Sequence, residues 1–410
     1  MAQSFTSSCG RAVSGGSSPL RLKGTDVVRV GGGRLRRGGG VAAGVGAVAG
    51  VALLAGVGGA PTPWVGRALA SAEPRDGPLE TTVASPRPFF MQLSGQGPAL
   101  SGDRVVWMAT TRLGQAGLEG GSYLIAYDLD ERRLSVAVRS RYGAMGFIGS
   151  YALVGTKLAY VDTAFLGRTF VWQVSLVDLH SGRTQTIAAS PRTARSSIAP
   201  QISFDGTRVL MLETIDLAGA RHASRAILYT PAQHRRQVLQ QERNVLFADP
   251  ALARNTALWA RITYGVHVSS HLMAYNLLRH ASRNVPVGDV SQVAASGDLV
   301  VWKSGMSGAG GHIGLYSLVR HRVLATDLAH NDRAIFPSID GRIVAWTYSD
   351  GSRVQVYSLS SNRVLFSTPV VPHRIYGLTA LSGRAASWTY TVLATGKGGA
   401  RGYVVVRQIR

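Results

Sequence analysis

The sequence is short of several things, and each shortage excludes something. Cysteine occurs once in 410 residues, as Cys9 near the N-terminus. The rest of the chain therefore has no disulfide, no cysteine nucleophile and no cysteine-ligated zinc. A protein of this length needs no disulfide staples, so their lack does not argue against export. Lysine is also rare: all but Lys23, Lys157, Lys303 and Lys397 of the 44 basic residues are arginine. The 22 acidic residues are half the basic count, leaving a formal net charge of +22. That scarcity disfavours a paired-carboxylate glycosidase. Charged residues are 16% and hydrophobic residues 45%, which excludes a disordered chain. No segment after residue 72 has a long, capped helical period.

The N-terminal part reads as a targeting segment. Residues 1–72 hold eight basic residues against Asp26 alone, so most of the positive charge lies in the body. An uncharged, Gly/Ala/Val-rich run covers 41–60 and is followed by Pro61, Pro63 and Ala68-Leu69-Ala70-Ser71-Ala72. A basic region, an apolar region and a small-residue site form a secretory signal, cut after Ala70 or Ala72. The run is also long enough to remain as an uncleaved anchor. The expected organisation is therefore a signal or anchor over 1–72, a linker over 73–78 and one body over 79–410, located outside the cytoplasm.

What the body has is a repeat. Seven short segments end in Trp107, Tyr160, Met211, Trp259, Trp302, Trp346 and Trp388, at spacings of 53, 51, 48, 43, 44 and 42 residues. Five of the seven tryptophans in the chain thus fall at one repeat position. A second mark follows each of the first six: Tyr127, Val177, Tyr229, Tyr275, Tyr316 and Tyr357, with the seventh expected within Tyr403–Val406. Each unit holds four short β-branched and aromatic stretches separated by Gly, Asp or Asn, with Asp205-Gly206 and Asp340-Gly341 as hairpin turns.

Four strands per unit of roughly 40–50 residues describe a propeller blade. The expected fold is all-β, a seven-bladed β-propeller of four-stranded antiparallel blades. One twisted sheet cannot cover both its faces, whereas seven around an axis cover one another. The repeated aromatics (Trp107, Tyr160, Trp259, Trp302, Trp346, Trp388) are then the fillers between blades. Leu79–Arg87 resembles the internal fourth strand Arg183–Arg192, so an N-terminal strand is expected to complete the last blade.

Pro200, Ser203-Phe204-Asp205-Gly206-Thr207-Arg208-Val209 and Pro337-Ser338-Ile339-Asp340-Gly341-Arg342-Ile343 resemble the TolB-like propeller repeat, Pro-x-x-Ser-Pro-Asp-Gly-x-x-Ile. The resemblance spans residues 79–410 and implies a propeller. The Asp-Gly pair stands in only two units, and the separate N-terminal domain of that family has no room here, so a Tol-system role is not expected.

In such a ring, the loops between strands two and three and those between blades share one face. The between-blade loops carry Arg87, Arg141, Arg192, Arg195, Arg243, Arg333 and Arg374. Guanidinium forks gathered there would favour phosphate or carboxylate groups. Solvent-exposed arginines that merely fall in loops are the plainer explanation. His267 and His271 lack a third metal ligand nearby, and His321, Asp327, His330 and Asp332 read as a solvated connection. Gly305-Met306-Ser307-Gly308-Ala309 lacks the last glycine and the setting of a nucleophile elbow, and reads as a hairpin tip. No metal, cofactor or catalytic set is expected.

The expected function is a non-catalytic binding or scaffold module that engages an anionic polymer or an acidic protein. Nucleic acid is not expected as a partner, membrane contact is expected only through 41–60, and the protein is expected to be a monomer. The alternatives are an extracytoplasmic propeller enzyme such as a polysaccharide lyase, with His267, His271, His312 or His321 converging in the channel, and a purely structural protein.

Overall fold

The computed structural model describes residues 65–67, 80–84, 89–91, 97–111, 121–167, 169–190, 198–217, 221–264, 267–305, 311–330, 332–393 and 401–409. The apolar run 41–60 and Arg87, Arg192 and Arg195 lie outside them. The described residues form seven antiparallel sheets. Their innermost strands are Ala99–Ser101, Gly146–Val154, Gln201–Phe204, Val245–Ala253, Val290–Ser296, Ala334–Asp340 and Arg374–Ser382. Each touches the next, and Arg374–Ser382 touches Ala99–Ser101, so the ring closes. We number the blades 1–7 in that order.

Blades 2–6 run outward in simple sequence order. Blade 1 gains Phe89–Met91 beside its second strand and Val65–Arg67 on its outer edge, the latter opposite Arg133–Ser135. Blade 7 takes three strands from the C-terminal end of the chain and its fourth from the N-terminal side. Glu80–Ala84 pairs antiparallel with Arg401–Gln408, Glu80 opposite Arg407 and Ala84 opposite Tyr403. The latch therefore covers a sheet edge that would otherwise be open.

The hydrophobic core is seven interfaces, one between each pair of neighbouring blades. At every interface the repeat residue faces the preceding blade. Trp107 meets Val404 and Val406 of blade 7, Tyr160 packs with Leu124 of blade 1, and Trp259 packs with Leu210 and Leu228 of blade 3. Trp302, Trp346 and Trp388 do the same against blades 4, 5 and 6. The five repeat tryptophans are nearly solvent-free. The indole nitrogens of Trp107, Trp259 and Trp346 meet no hydrogen-bond partner, so these side chains act through volume.

The second mark lies on the third strand, opposite the residue two before the repeat aromatic, as Tyr127 is opposite Val105. By that register the seventh equivalent is Arg407, opposite Ala386, and not a residue of Tyr403–Val406. An arginine serves there because the latch changes the surroundings. Its guanidinium lies 4.3 Å over the Phe366 ring and 3.9 Å from the Glu80 carboxylate.

The hairpin turns at the inner strand ends also link blades. Gly383 N–H donates to Asp340 Oδ2 (2.5 Å) and Gly102 N–H donates to Ser382 Oγ (3.0 Å). Both glycines have φ near +58°, a left-handed turn that a side chain disfavours.

Candidate binding face and axial channel

Inner strands enter from one face of the ring, so the inter-blade loops and the two–three loops share it. Four predicted arginines are described there. Arg141 sits in a short turn entering blade 2, and that turn is pinned by a buried carboxylate. Asp162 accepts from Ser140 Oγ (2.6 Å) and from the Arg141 backbone N–H (2.7 Å). Burial raises the Asp162 carboxyl above its ordinary pKa, and those hydrogen bonds oppose the rise. The exposed Arg141 guanidinium reaches Gln173 and lies 5.5 Å over the Tyr142 ring.

Arg243 ends the fourth strand of blade 3 and is exposed; its neighbour Glu242 is held by Arg261 at 2.7 Å. Arg333 is exposed and 3.7 Å from Asp350. Arg374 is half-buried, 4.3 Å over the Tyr390 ring, and Tyr390 stacks in turn on Tyr403 at 4.8 Å. The four thus share a face. Arg141 and Arg243 point their charge outward, Arg333 is shared with a carboxylate, and Arg374 is spent on aromatic packing. The same face carries most of the exposed large apolar side chains, including Met145, Phe165, Leu166, Tyr264, Val268 and Leu393.

The channel has a feature that the sequence reading missed. Register against the aromatic strand makes Gln201, Asp249, Gln292 and Phe336 equivalent positions on successive inner strands. Asp249, Gln292 and Phe336 are β-bulge residues with φ of 55°, 54° and 53°. Each donates its backbone N–H to the side chain of the blade before: Asp249 to Gln201 Oε1 (2.7 Å), Gln292 to Asp249 Oδ2 (2.8 Å) and Phe336 to Gln292 Oε1 (2.7 Å). On the blade 7 to blade 1 side, Leu378 and Gly97 pack so closely that a Cβ on Gly97 would lie 2.5 Å from that of Leu378. The result is a partial girdle along the channel wall from blade 3 to blade 6. Burial raises the Asp249 carboxyl pKa, against the hydrogen bond from Gln292. The usable signal was positional: each of these residues lies ten residues before the repeat residue of its blade.

The four histidines do not converge. His267 and His312 are on the loop face, His271 is on the third strand of blade 4, and His321 is in a turn on the opposite side. His312 Nδ1 is 3.2 Å from Asp327 Oδ2, both partly exposed. Among the described residues no three His, Cys, Asp or Glu side chains gather as metal ligands would.

No family model and no curated protein matches the chain. Solved structures do. The β-propeller domain of the Trilobed protease from Pyrococcus furiosus aligns with a TM-score of 0.54 at 11% identity, over 78% of this chain and 98% of that one. The Pyrococcus horikoshii acylaminoacyl peptidase aligns with a TM-score of 0.54 at 10% identity, over 77% of this chain and 52% of that one. TolB from Acinetobacter baumannii also matches, with a TM-score of 0.38 at 13% identity, over 75% of this chain and 80% of that one. The body is a seven-bladed β-propeller. At such identities the likeness extends to fold alone. The chain spans about half the length of the acylaminoacyl peptidase, 52%. The protease propeller is described as having an open velcro topology, whereas here the latch strand is paired along its length.

Proposed function

We propose that the chain is an exported, non-catalytic binding or scaffold propeller whose loop face engages an anionic polymer or an acidic protein partner. One observation carries this reading: outward-pointing Arg141 and Arg243 share a face with most of the exposed large apolar side chains. Contiguous apolar surface edged by polar groups marks interaction sites, and guanidinium forks add preference for phosphate or carboxylate. The Asp162 anchor supports it, because a buried carboxylate holds the Arg141 turn in one place. Residues 73–410 carry +15 of the net charge of +22, because residues 1–72 account for +7, and that excess favours encounter with a polyanion. Catalysis in the channel would need converging acid and base groups, and the girdle offers a single titratable side chain, Asp249.

The test is retention on immobilised polyglutamate and polyphosphate at low and high salt, with Arg141→Ser/Arg243→Ser beside the unaltered chain. Retention should fall with salt and with the double substitution. Retention indifferent to both removes the electrostatic basis of the reading.

A further inference from the structure

On the side of the ring opposite the loop face lie the turns joining third to fourth strands. Three consecutive turns share a composition: Gln233-His234-Arg235-Arg236 in blade 3, Leu278-Arg279-His280 with Arg283 in blade 4, and Val319-Arg320-His321-Arg322 in blade 5. His234, His280 and His321 occupy the same left-handed turn position, at φ of 49°, 51° and 53°. The arginines beside them therefore leave their blades in matched places. All six arginines are exposed.

Residues 230–241, 277–288 and 318–326 contain no aspartate or glutamate. Among the described residues, none of the six arginines is in an ion pair, and Arg236 is only within electrostatic reach of buried Glu213. A cationic arc thus runs along blades 3–5, with Asp298 of the neighbouring one–two turn as the acidic residue beside its blade 5 end. Two of the three turn tips are apolar. Leu278 and Val319 are 71% and 62% exposed, the highest values among the large hydrophobic side chains described. One such residue would need no explanation. Two at equivalent tips of adjacent blades, each followed by Arg-His in acid-free segments, form a pattern. The loop face differs, because Asp216, Glu242, Asp289, Asp327, Asp332 and Asp350 interleave with its arginines.

Apolar tips ringed by arginine suit a surface that is oily at one depth and anionic at the next. We propose that the three–four turns of blades 3–5 dock on an anionic lipid bilayer, Leu278 and Val319 entering the headgroup region while the flanking arginines meet lipid phosphates. Each arginine near such a surface strengthens partitioning roughly fivefold. The proposal concerns the face opposite the partner-binding one and stands or falls apart from it.

The test uses the full chain with Cys9→Ser and an environment-sensitive dye on Leu278→Cys, or on Asp130→Cys in the corresponding turn of blade 1 as reference. Vesicles of phosphatidylglycerol and phosphatidylcholine should blue-shift the dye at 278 and expose it to lipid-borne quenchers. The dye at 130 should not respond. Phosphatidylcholine alone should give no shift, and adding Arg279→Glu and Arg320→Glu should abolish it while the melting temperature stays unchanged. Vesicle capture through residues 41–60 cannot by itself move a dye at 278. A dye that stays in water on bound protein, or a shift that survives the two substitutions, overturns the proposal. So does polyphosphate binding that the substitutions weaken while the dye never enters lipid, which would make the arc a site for a soluble polyanion.

Discussion

The backbone N–H of Gln292 donates to Asp249 Oδ2 at 2.8 Å, joining the inner strands of blades 5 and 4 across the channel wall. Asp249 also donates its own N–H to Gln201, so one carboxyl sits in the middle of a three-blade chain. Its pKa is raised by burial, which sets the sign of its pH effect. Below its unfolded value both states are protonated. As pH rises, the unfolded state ionises first, so stability falls between the unfolded and folded pKa values. Asp249→Asn keeps the acceptor and removes the titration. Its stability relative to the unaltered chain should improve across that window, and a difference flat with pH would contradict this. Asp249→Ala should cost about 1–3 kcal/mol through the unsatisfied Gln292 N–H. Urea unfolding at several pH values measures both.

The buried tryptophans act as spacers. Trp346→Ala should cost about 3–5 kcal/mol through the cavity left between blades 5 and 6. Trp346→Phe should cost less than about half as much, because the indole nitrogen has no partner to lose. Equal losses in denaturant unfolding would mean that the nitrogen matters after all.

Ring closure depends on a five-residue strand. Val83 is 2% exposed at the interface of blades 7 and 1. Val83→Asp places an unpaired carboxylate there and should cost on the order of 3–5 kcal/mol. Proteolysis should then cut first near residues 80–84 and 401–408, the freed edge. Uniform cleavage around the ring would argue that the latch is not the weak seam.

The Arg141 turn depends on Asp162. Asp162→Ala leaves the Ser140 hydroxyl and the Arg141 N–H without their acceptor and should destabilise by about 1–3 kcal/mol. It should also weaken polyanion retention towards that of Arg141→Ser. Unchanged retention would show that Arg141 is not part of the binding face.

The fold was legible because a strand period of two and a fixed tryptophan survive great divergence, and burial between sheets allows few substitutes. Trp107 and Trp388 announced their blades for that reason. The latch was legible from the likeness of 79–87 to an internal strand. The seventh mark was not, since Arg407 answers to Phe366 and Glu80, which only the closed ring brings near it. The girdle was hidden because its bonds run from backbone N–H groups to side chains as different as Gln201 and Asp249. The arginines were visible as residues, but whether each faces water, a carboxylate or a tyrosine is decided by neighbours distant in sequence, as Arg374 over Tyr390 shows.

The closed ring is tested most directly by a disulfide across the latch. Thr82 lies opposite Val405. With Cys9→Ser in place, Thr82→Cys/Val405→Cys should oxidise nearly completely in the folded protein and raise its melting temperature, while Thr82→Cys/Gln355→Cys, whose partner lies in blade 6, should not cross-link. Failure of the first pair, or equal cross-linking of both, would contradict a propeller closed by its N-terminal strand.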